Sequence, residues 1–157
     1  FVAGGRGVAP LVFLAERLYR DRPAHATITR SAVLGAGTAE DILCVRDFTR
    51  AGCGVMIATD DGSRGKKGLV TDLLREILEK ERVPGQTTVY ACGPDAMLRT
   101  VALCAHQTGA QAFGSFDAHM ACGVGHCYGC VVKTIAGYRR ACTDGPVFDL
   151  KEIVWEE

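Results

Sequence analysis

An α/β fold built on a parallel sheet, followed by a small β-rich unit, is what this sequence predicts. Three observations carry that expectation. Up to residue 109, short apolar runs alternate with segments of helical period, the pattern of a parallel sheet with helices on both faces. Glycine-rich turns follow several of those runs, at what would be the carboxyl edge of such a sheet, where open α/β folds bind ligands. After Gly109 the helical signal ends, and glycines, cysteines and short β-like pieces run on to residue 157. The expected division is therefore 1–109 and 110–157.

Each element has its own cue. "FVAGG" reads as the end of a strand entering a glycine turn. "LVFLAERLY" (11–19) has helical spacing, and Asp21-Arg22-Pro23 ends it. "ATITRSAVLG" (26–35) is strand-like. Thr38 with Asp41 three residues on resembles a capping box, opening a helix through about Thr49. "GVMIAT" (54–59) is a continuous apolar run, the mark of a strand buried on both faces. "LVTDLLREILEKER" (69–82) is an amphipathic helix stopped by Pro84-Gly85. "TTVYA" (87–91) is a strand, and "DAMLRTVALCAHQ" (95–107) a helix closed by Gly109. In the C-terminal part "QAFGSF", "CVVKTI" and "YRRAC" are β-like, with a hairpin turn expected at Ala136-Gly137. A unit of this size with so few large apolar side chains is marginal without a metal centre to stabilise it.

Composition excludes some functions. Eighteen basic and eighteen acidic residues cancel, and no basic run is longer than a pair such as Lys66-Lys67. Non-specific nucleic-acid binding would show as a basic excess, so no nucleic-acid partner is expected. No apolar run approaches the ~20 residues of a membrane helix, and no signal peptide is recognisable; a cytoplasmic protein is expected. The chain opens in mid-strand with Phe1, so further residues, and a whole upstream domain, are expected before it.

Three turns are candidate ligand contacts. In "GGRGVAP", Gly5 and Gly7 let backbone approach phosphate, and Pro10 suits the first position of the following helix. The dinucleotide fingerprint would place glycine at position 10 and an acidic residue at the end of the second strand. Neither is present, and a tight structural turn is the competing reading. "TDDGSRGKKG" (59–68) follows a buried strand; Asp60 suits a ribose hydroxyl, but a solvated loop would look the same. "Cys92-Gly93-Pro94" follows the next one; a thiol there suits contact with a flat ring, against the reading of a small buried side chain.

The cysteines are more specific. Cys122, Cys127 and Cys130 have C-x4-C-x2-C spacing, and Cys142 follows after eleven residues. This is the plant-type [2Fe–2S] pattern. Gly123, Gly125 and Gly129 let the loop wrap a cluster with backbone N–H groups facing sulfur. Structural zinc sites mostly use two close ligand pairs, unlike this uneven split; zinc and disulfides are the competing readings. His126 reads as a surface residue of the loop. Cys44, Cys53, Cys92 and Cys104 sit in apolar or strand-end contexts, where cysteine behaves as a small hydrophobe.

"GGRGVAPL", "TDDGSRGKKGLVTD", "ACGPDAML", "MACGVGHCYGC" and "CTDGPVF" occur here in that order. On these motifs, across its whole length, the chain resembles the electron-transfer subunits of NAD-dependent dihydroorotate dehydrogenases, within the ferredoxin–NAD(P) reductase superfamily. The resemblance implies an NAD-binding α/β domain of ferredoxin-reductase type and a C-terminal [2Fe–2S] domain, preceded in the family by an FAD-binding barrel that this chain lacks. Gly5, Gly7 and Pro10 would line the pyrophosphate loop. Thr59, Asp60 and Gly62 would flank the nucleotide, and Cys92, Gly93, Pro94 and Met97 would sit by the nicotinamide. Cys122, Cys127, Cys130 and Cys142 would hold the cluster. FAD, bound mainly upstream, would convert between the hydride pair of NAD(H) and the single electrons of the cluster. The implied partner is an FMN-containing catalytic subunit in a hetero-oligomer, oxidising dihydroorotate in pyrimidine biosynthesis. No general acid, base or catalytic triad is expected of this chain, and no membrane partner. The alternatives are a related reductase subunit serving ferredoxin, a hydrogenase or an oxygenase, and a zinc-stapled nucleotide-binding module. Three positions depart from the family pattern: Asp117-Ala118-His119 replaces an acidic–basic run, His126 a small residue, and Gly37 an arginine. Without that arginine a 2′-phosphate loses a partner, which favours NADH over NADPH.

Overall fold

The structure is a computed structural model describing residues 1–23, 28–80 and 86–155. Strands β1 (Val2–Gly4), β2 (Ser31–Ala36), β3 (Gly54–Thr59), β4 (Lys66–Lys67), β5 (Thr88–Cys92), β6 (Gln111–Ser115) and β9 (Val147–Asp149) form a seven-stranded sheet, ordered β4-β3-β2-β1-β5-β6-β9. All pairings are parallel except that of β9 with β6. Strands β7 (Val131–Thr134) and β8 (Gly137–Arg140) form a separate antiparallel hairpin. The expected α/β fold with a parallel sheet is the observed one.

Helices cover both faces. On one, α1 (Val8–Arg20) and α2 (Val45–Arg50) pack Val8, Leu11, Ala15 and Phe48 against Ala3, Ala32 and Leu34. On the other, α3 (Val70–Lys80) and α4 (Asp95–Thr108) pack Leu73, Leu74, Leu98 and Val101 against Val2, Val33 and Val89. Val2 and Ala3 face opposite layers, as do Val33 and Leu34, because successive strand residues point to opposite faces. Burial on both sides is why these strands read as continuous apolar runs. Phe1, Tyr90 and Phe113 stack across three neighbouring chain paths, with ring centroids 6.0 and 5.8 Å apart.

Several sequence expectations hold closely. β3 has the expected bounds, and Gly109 caps α4 in the left-handed conformation with φ 72°. Others need correction. The helix expected from Thr38 to Thr49 is two pieces, a single 3₁₀ turn at Ala39–Asp41 and then α2. Cys44 between them has φ 59°, which no α-helix accommodates. The Thr38 hydroxyl does reach Asp41, at 3.0 Å, but side chain to side chain. The hairpin turn is Ile135-Ala136, since Gly137 already pairs with Thr134. The expected stop at Pro84-Gly85 lies outside the described residues.

The sheet runs across the expected 109/110 division. β6 pairs with β5 over five residues, and β9 returns to β6. Phe148 and Leu150 sit in the same core as α4. The chain leaves this sheet after Ser115 and rejoins it at Val147. Among the described residues, no helix is long and apolar enough to cross a membrane.

Candidate nucleotide cleft and cluster loop

The carboxyl ends of β1, β2, β3 and β5 open into one cleft of about 1330 Å³. Gly5, Gly7, Pro10, Asp60, Cys92, Gly93, Pro94 and Met97 line it. Eight of the ten expected nucleotide contacts are thus brought together. The other two, Thr59 and Gly62, are not among the lining residues. Thr59 is fully buried; its hydroxyl donates to the Arg64 carbonyl at 3.0 Å and accepts from the Arg64 N–H at 3.1 Å. It shapes the 60–68 loop from beneath, and the Gly62 N–H closes the same turn onto the Thr59 carbonyl at 3.1 Å.

Local geometry explains the glycines of the first turn. The carbonyl of Cys92 occupies the space a Cβ on Gly7 would need. Gly4 and Gly93 pack back to back, with Met97 filling the gap beside both. Helix α1 starts at Val8, two residues earlier than expected, so Pro10 is its third residue. The first four N–H groups of a helix lack partners inside it, which is why proline is tolerated there. The Val8 N–H is taken by the preceding turn, at the Gly5 carbonyl, and Pro10 has none, so it is the positive end of α1, with Ala9 and Pro10 at the lining, that faces the cleft beside Arg6. Burial pushes the Cys92 thiol above its ordinary pKa, opposed by a hydrogen bond with Ser115. It is a neutral thiol in a largely apolar corner.

Other residues line the cleft too, of which only Gly37 had been placed near the nucleotide, through the missing 2′-phosphate partner. Gly37, Glu40 and Asp41 edge the cleft beyond β2, while Ser115, Phe116, Asp117 and Met120 come from the segment leading into the cysteine loop. A signal for the first group lay in the sequence, since the end of the second strand is where a ribose is read. The second group depends on β6 lying beside β5, a pairing distant in sequence.

Among the described residues, no three His, Cys, Asp or Glu side chains converge at metal-ligating distance. The four expected ligands stand as two pairs. The Cys127 N–H points at Cys122 Sγ, 3.4 Å away, and the Cys122 thiol is pushed down to about 6, first by that N–H and then by that of Val124. The Cys142 backbone N–H lowers the Cys130 thiol most, and the two side chains hydrogen-bond to each other, which raises Cys142. The Gly129 N–H points at Cys127 Sγ, also 3.4 Å away. Gly123 and Gly125, with φ 68° and 77°, let the loop curl its amides inward. This donor set fits a two-iron cluster. One sulfur of each pair, Cys122 and Cys130, is favoured as thiolate, the loop amides point at sulfur, and the cysteines stand in twos rather than around a single point as one zinc ion would need.

Residues 1–102 match the family described as an oxidoreductase NAD-binding domain, and residues 117–154 match the iron–sulfur cluster binding domain of dihydroorotate dehydrogenase B. The chain belongs to the NAD-binding oxidoreductase family. Among its curated relatives are the dihydroorotate dehydrogenase B (NAD(+)) electron transfer subunits of Shouchella clausii, 40% identical over 98% of this chain and 56% of the relative, and of Desulforamulus reducens, 36% identical over 98% and 57%. A probable such subunit from Methanopyrus kandleri is 40% identical over 97% and 54%. The chain thus spans little more than half the length of these relatives. A solved structure described as an NADH-dependent reduced ferredoxin–NADP oxidoreductase, studied for flavin-based electron bifurcation, superposes with a TM-score of 0.80 at 32% identity, covering 98% of this chain and 52% of that one. The resemblance drawn from the motifs is borne out, as are the NAD-binding and iron–sulfur character it implied.

Proposed function

We propose that this chain is the nucleotide- and cluster-bearing part of an electron-transfer subunit of dihydroorotate dehydrogenase B. Its expected partner is an FMN-containing catalytic subunit, in the cytoplasmic synthesis of pyrimidines. The observation that carries the reading is the join between its two sites. Phe116, Asp117 and Met120 line the nucleotide cleft, and Met120 stands two residues before the first cluster cysteine. A redox-active nucleotide in the cleft would therefore lie beside the loop that takes its electrons.

In this reading residues 1–109 hold the nucleotide and 110–157 the cluster. The Gly5–Gly7 turn and the start of α1 receive the pyrophosphate on backbone N–H groups. Asp60 accepts from a ribose hydroxyl. Cys92, Gly93, Pro94 and Met97 form a close-packed wall that fixes the plane of the nicotinamide and keeps water from one face. Cys122, Cys127, Cys130 and Cys142 ligate the cluster, and loop amides lower the charge density on sulfur. When bound, the cluster exchanges single electrons, and FAD, held mainly by residues outside this chain, links them to the hydride of NAD(H). No proton-transfer group of the chain is needed.

The test is iron and acid-labile sulfide content with a visible spectrum, on protein purified without air. About two irons and two sulfides per chain, bleached by NADH once the flavin-binding part is present, is the expected result. One zinc and no colour overturns the reading. Reduction of a ferredoxin in preference to the dihydroorotate-oxidising subunit would instead assign the chain to a related reductase.

A further inference from the structure

Arg140, the last residue of β8, contacts all three pieces of chain that carry the cysteines. Its Nη1 donates to the carbonyl of Gly125 at 3.1 Å, between Cys122 and Cys127. Its guanidinium lies over the ring of Tyr128, 5.5 Å from the centroid, between Cys127 and Cys130. Its Nε and Nη2 donate to the two carboxylate oxygens of Asp144, at 3.1 and 3.3 Å, just beyond Cys142. The same Asp144 accepts from the Arg140 backbone N–H at 2.8 Å and returns its own N–H to the Arg140 carbonyl at 2.8 Å. Gly125 is buried, and a Cβ there would meet Thr143 and the guanidinium at 3.0–3.3 Å.

We propose that Arg140, held by Asp144, is the positioning residue that locks the three-cysteine loop onto the segment bearing the fourth cysteine, and that its cation favours the reduced form of the cluster. The inference rests on the ligand set given above. A 3+1 arrangement has a weak point that two close ligand pairs lack, because the remote cysteine is placed only by whatever ties its segment to the loop. Backbone pairing does this on one side, where the Ala141 N–H donates to the Cys130 carbonyl at 2.9 Å. In the middle of the long gap, Gly125 is tied to that segment through both its backbone groups, its N–H on the Cys142 thiol and its carbonyl on the Arg140 guanidinium. The task needs the forked guanidinium: one edge grips a carboxylate and the remaining N–H reaches a carbonyl, which the single ammonium of lysine cannot reproduce. Charge adds a second effect. One-electron reduction makes the cluster more negative, and a fixed cation nearby stabilises that form.

The test compares Arg140→Ala, Arg140→Lys and Asp144→Asn with the unaltered protein, purified without air. Two quantities are read: the rate of iron loss to a chelator and the cluster reduction potential from a spectroscopic titration. Arg140→Ala should lose iron about tenfold faster, the scale of outer-shell effects at metal sites, and its potential should fall. Arg140→Lys should lose iron nearly as fast while keeping its potential, since charge remains and the fork does not. Asp144→Asn should release iron faster with no fall in potential, and it carries the test with Arg140→Lys if the alanine variant does not fold. Iron loss and potential unchanged in all three overturn the proposal while leaving the ligand set intact. An unaltered protein without iron or sulfide overturns the ligand set and the proposal together.

Discussion

The carbonyl of Cys92 fills the position a Cβ on Gly7 would take, so the first turn and the end of β5 are in direct backbone contact. Gly7 has φ −60°, an ordinary helical value, and its requirement for glycine is one of space. Gly7→Ala should therefore force the two turns apart. Overpacking of this kind costs about 1–3 kcal/mol. Denaturant unfolding should show that loss, and fluorescence titration with NADH should show affinity reduced by about tenfold or more. Unchanged NADH affinity in a destabilised variant would mean that the turn is structural and does not cradle the phosphates.

The far edge of the cleft carries Glu40, Asp41 and Asp60 beside Gly37. A 2′-phosphate entering there would meet carboxylates, and NADH should be the preferred nucleotide. A Cβ on Gly37 meets only Asp41 Oδ2, at 3.9 Å, so a side chain fits. Gly37→Arg should raise kcat/KM for NADPH relative to NADH by about tenfold. This corresponds to about 1.4 kcal/mol, within reach of a hydrogen bond to a charged group. A ratio that does not move would place the adenosine ribose elsewhere.

Cysteine replacements should divide by role. Cys142→Ser should lose most of the iron and the visible spectrum. Cys104→Ser, at a site 2% exposed between α4 and the sheet, should cost about 1–3 kcal/mol of stability through a buried hydroxyl while keeping the full metal content. Iron analysis beside thermal unfolding separates the two. Retention of iron by Cys142→Ser would remove that residue from the ligand set.

Lys66 on β4 and Glu76 on α3 form an ion pair, and the Glu76 carboxyl is held below its ordinary value of 4.5 by the hydrogen bond and charge of Lys66. A depressed folded-state pKa contributes stability that is complete above 4.5 and is lost as pH falls through the lower folded value. The effect is small, because both side chains are solvated. Glu76→Gln should lower Tm slightly at pH 7 and low salt, and the difference should vanish in acid. A difference that persists in acid would assign it to packing.

Much of this was legible from residue order, and the exceptions have physical causes. Gly54–Thr59 declared itself because a strand buried on both faces cannot alternate. The C-x4-C-x2-C spacing was readable because it lies within one short loop. The helix at 38–49 was misjudged because a capping pattern at Thr38 says nothing about Cys44, six residues later, taking a left-handed conformation. Thr59 looked like a nucleotide contact from its place at a strand end, yet its hydroxyl turns inward to hold the loop backbone. The membership of Gln111–Ser115 in the main sheet, and with it Phe116 and Asp117 in the cleft, rests on pairing across some twenty residues of intervening helix and turn, which no local pattern encodes.

The return of β9 to the edge made by β6 has a mechanical consequence. The segment between Ser115 and Val147 is anchored at both ends on the same two adjoining strands. The tail ties it again, with the Ile135 N–H on the Glu152 carbonyl at 2.8 Å and the Val154 N–H on the Lys133 carbonyl at 2.9 Å. A carrier on a single tether swings between donor and acceptor, and its throughput follows the swing. A carrier pinned at both ends and along its hairpin does not travel. On the proposed reading, a cluster held in that segment keeps its distance from the cleft, because both are anchored on the same sheet.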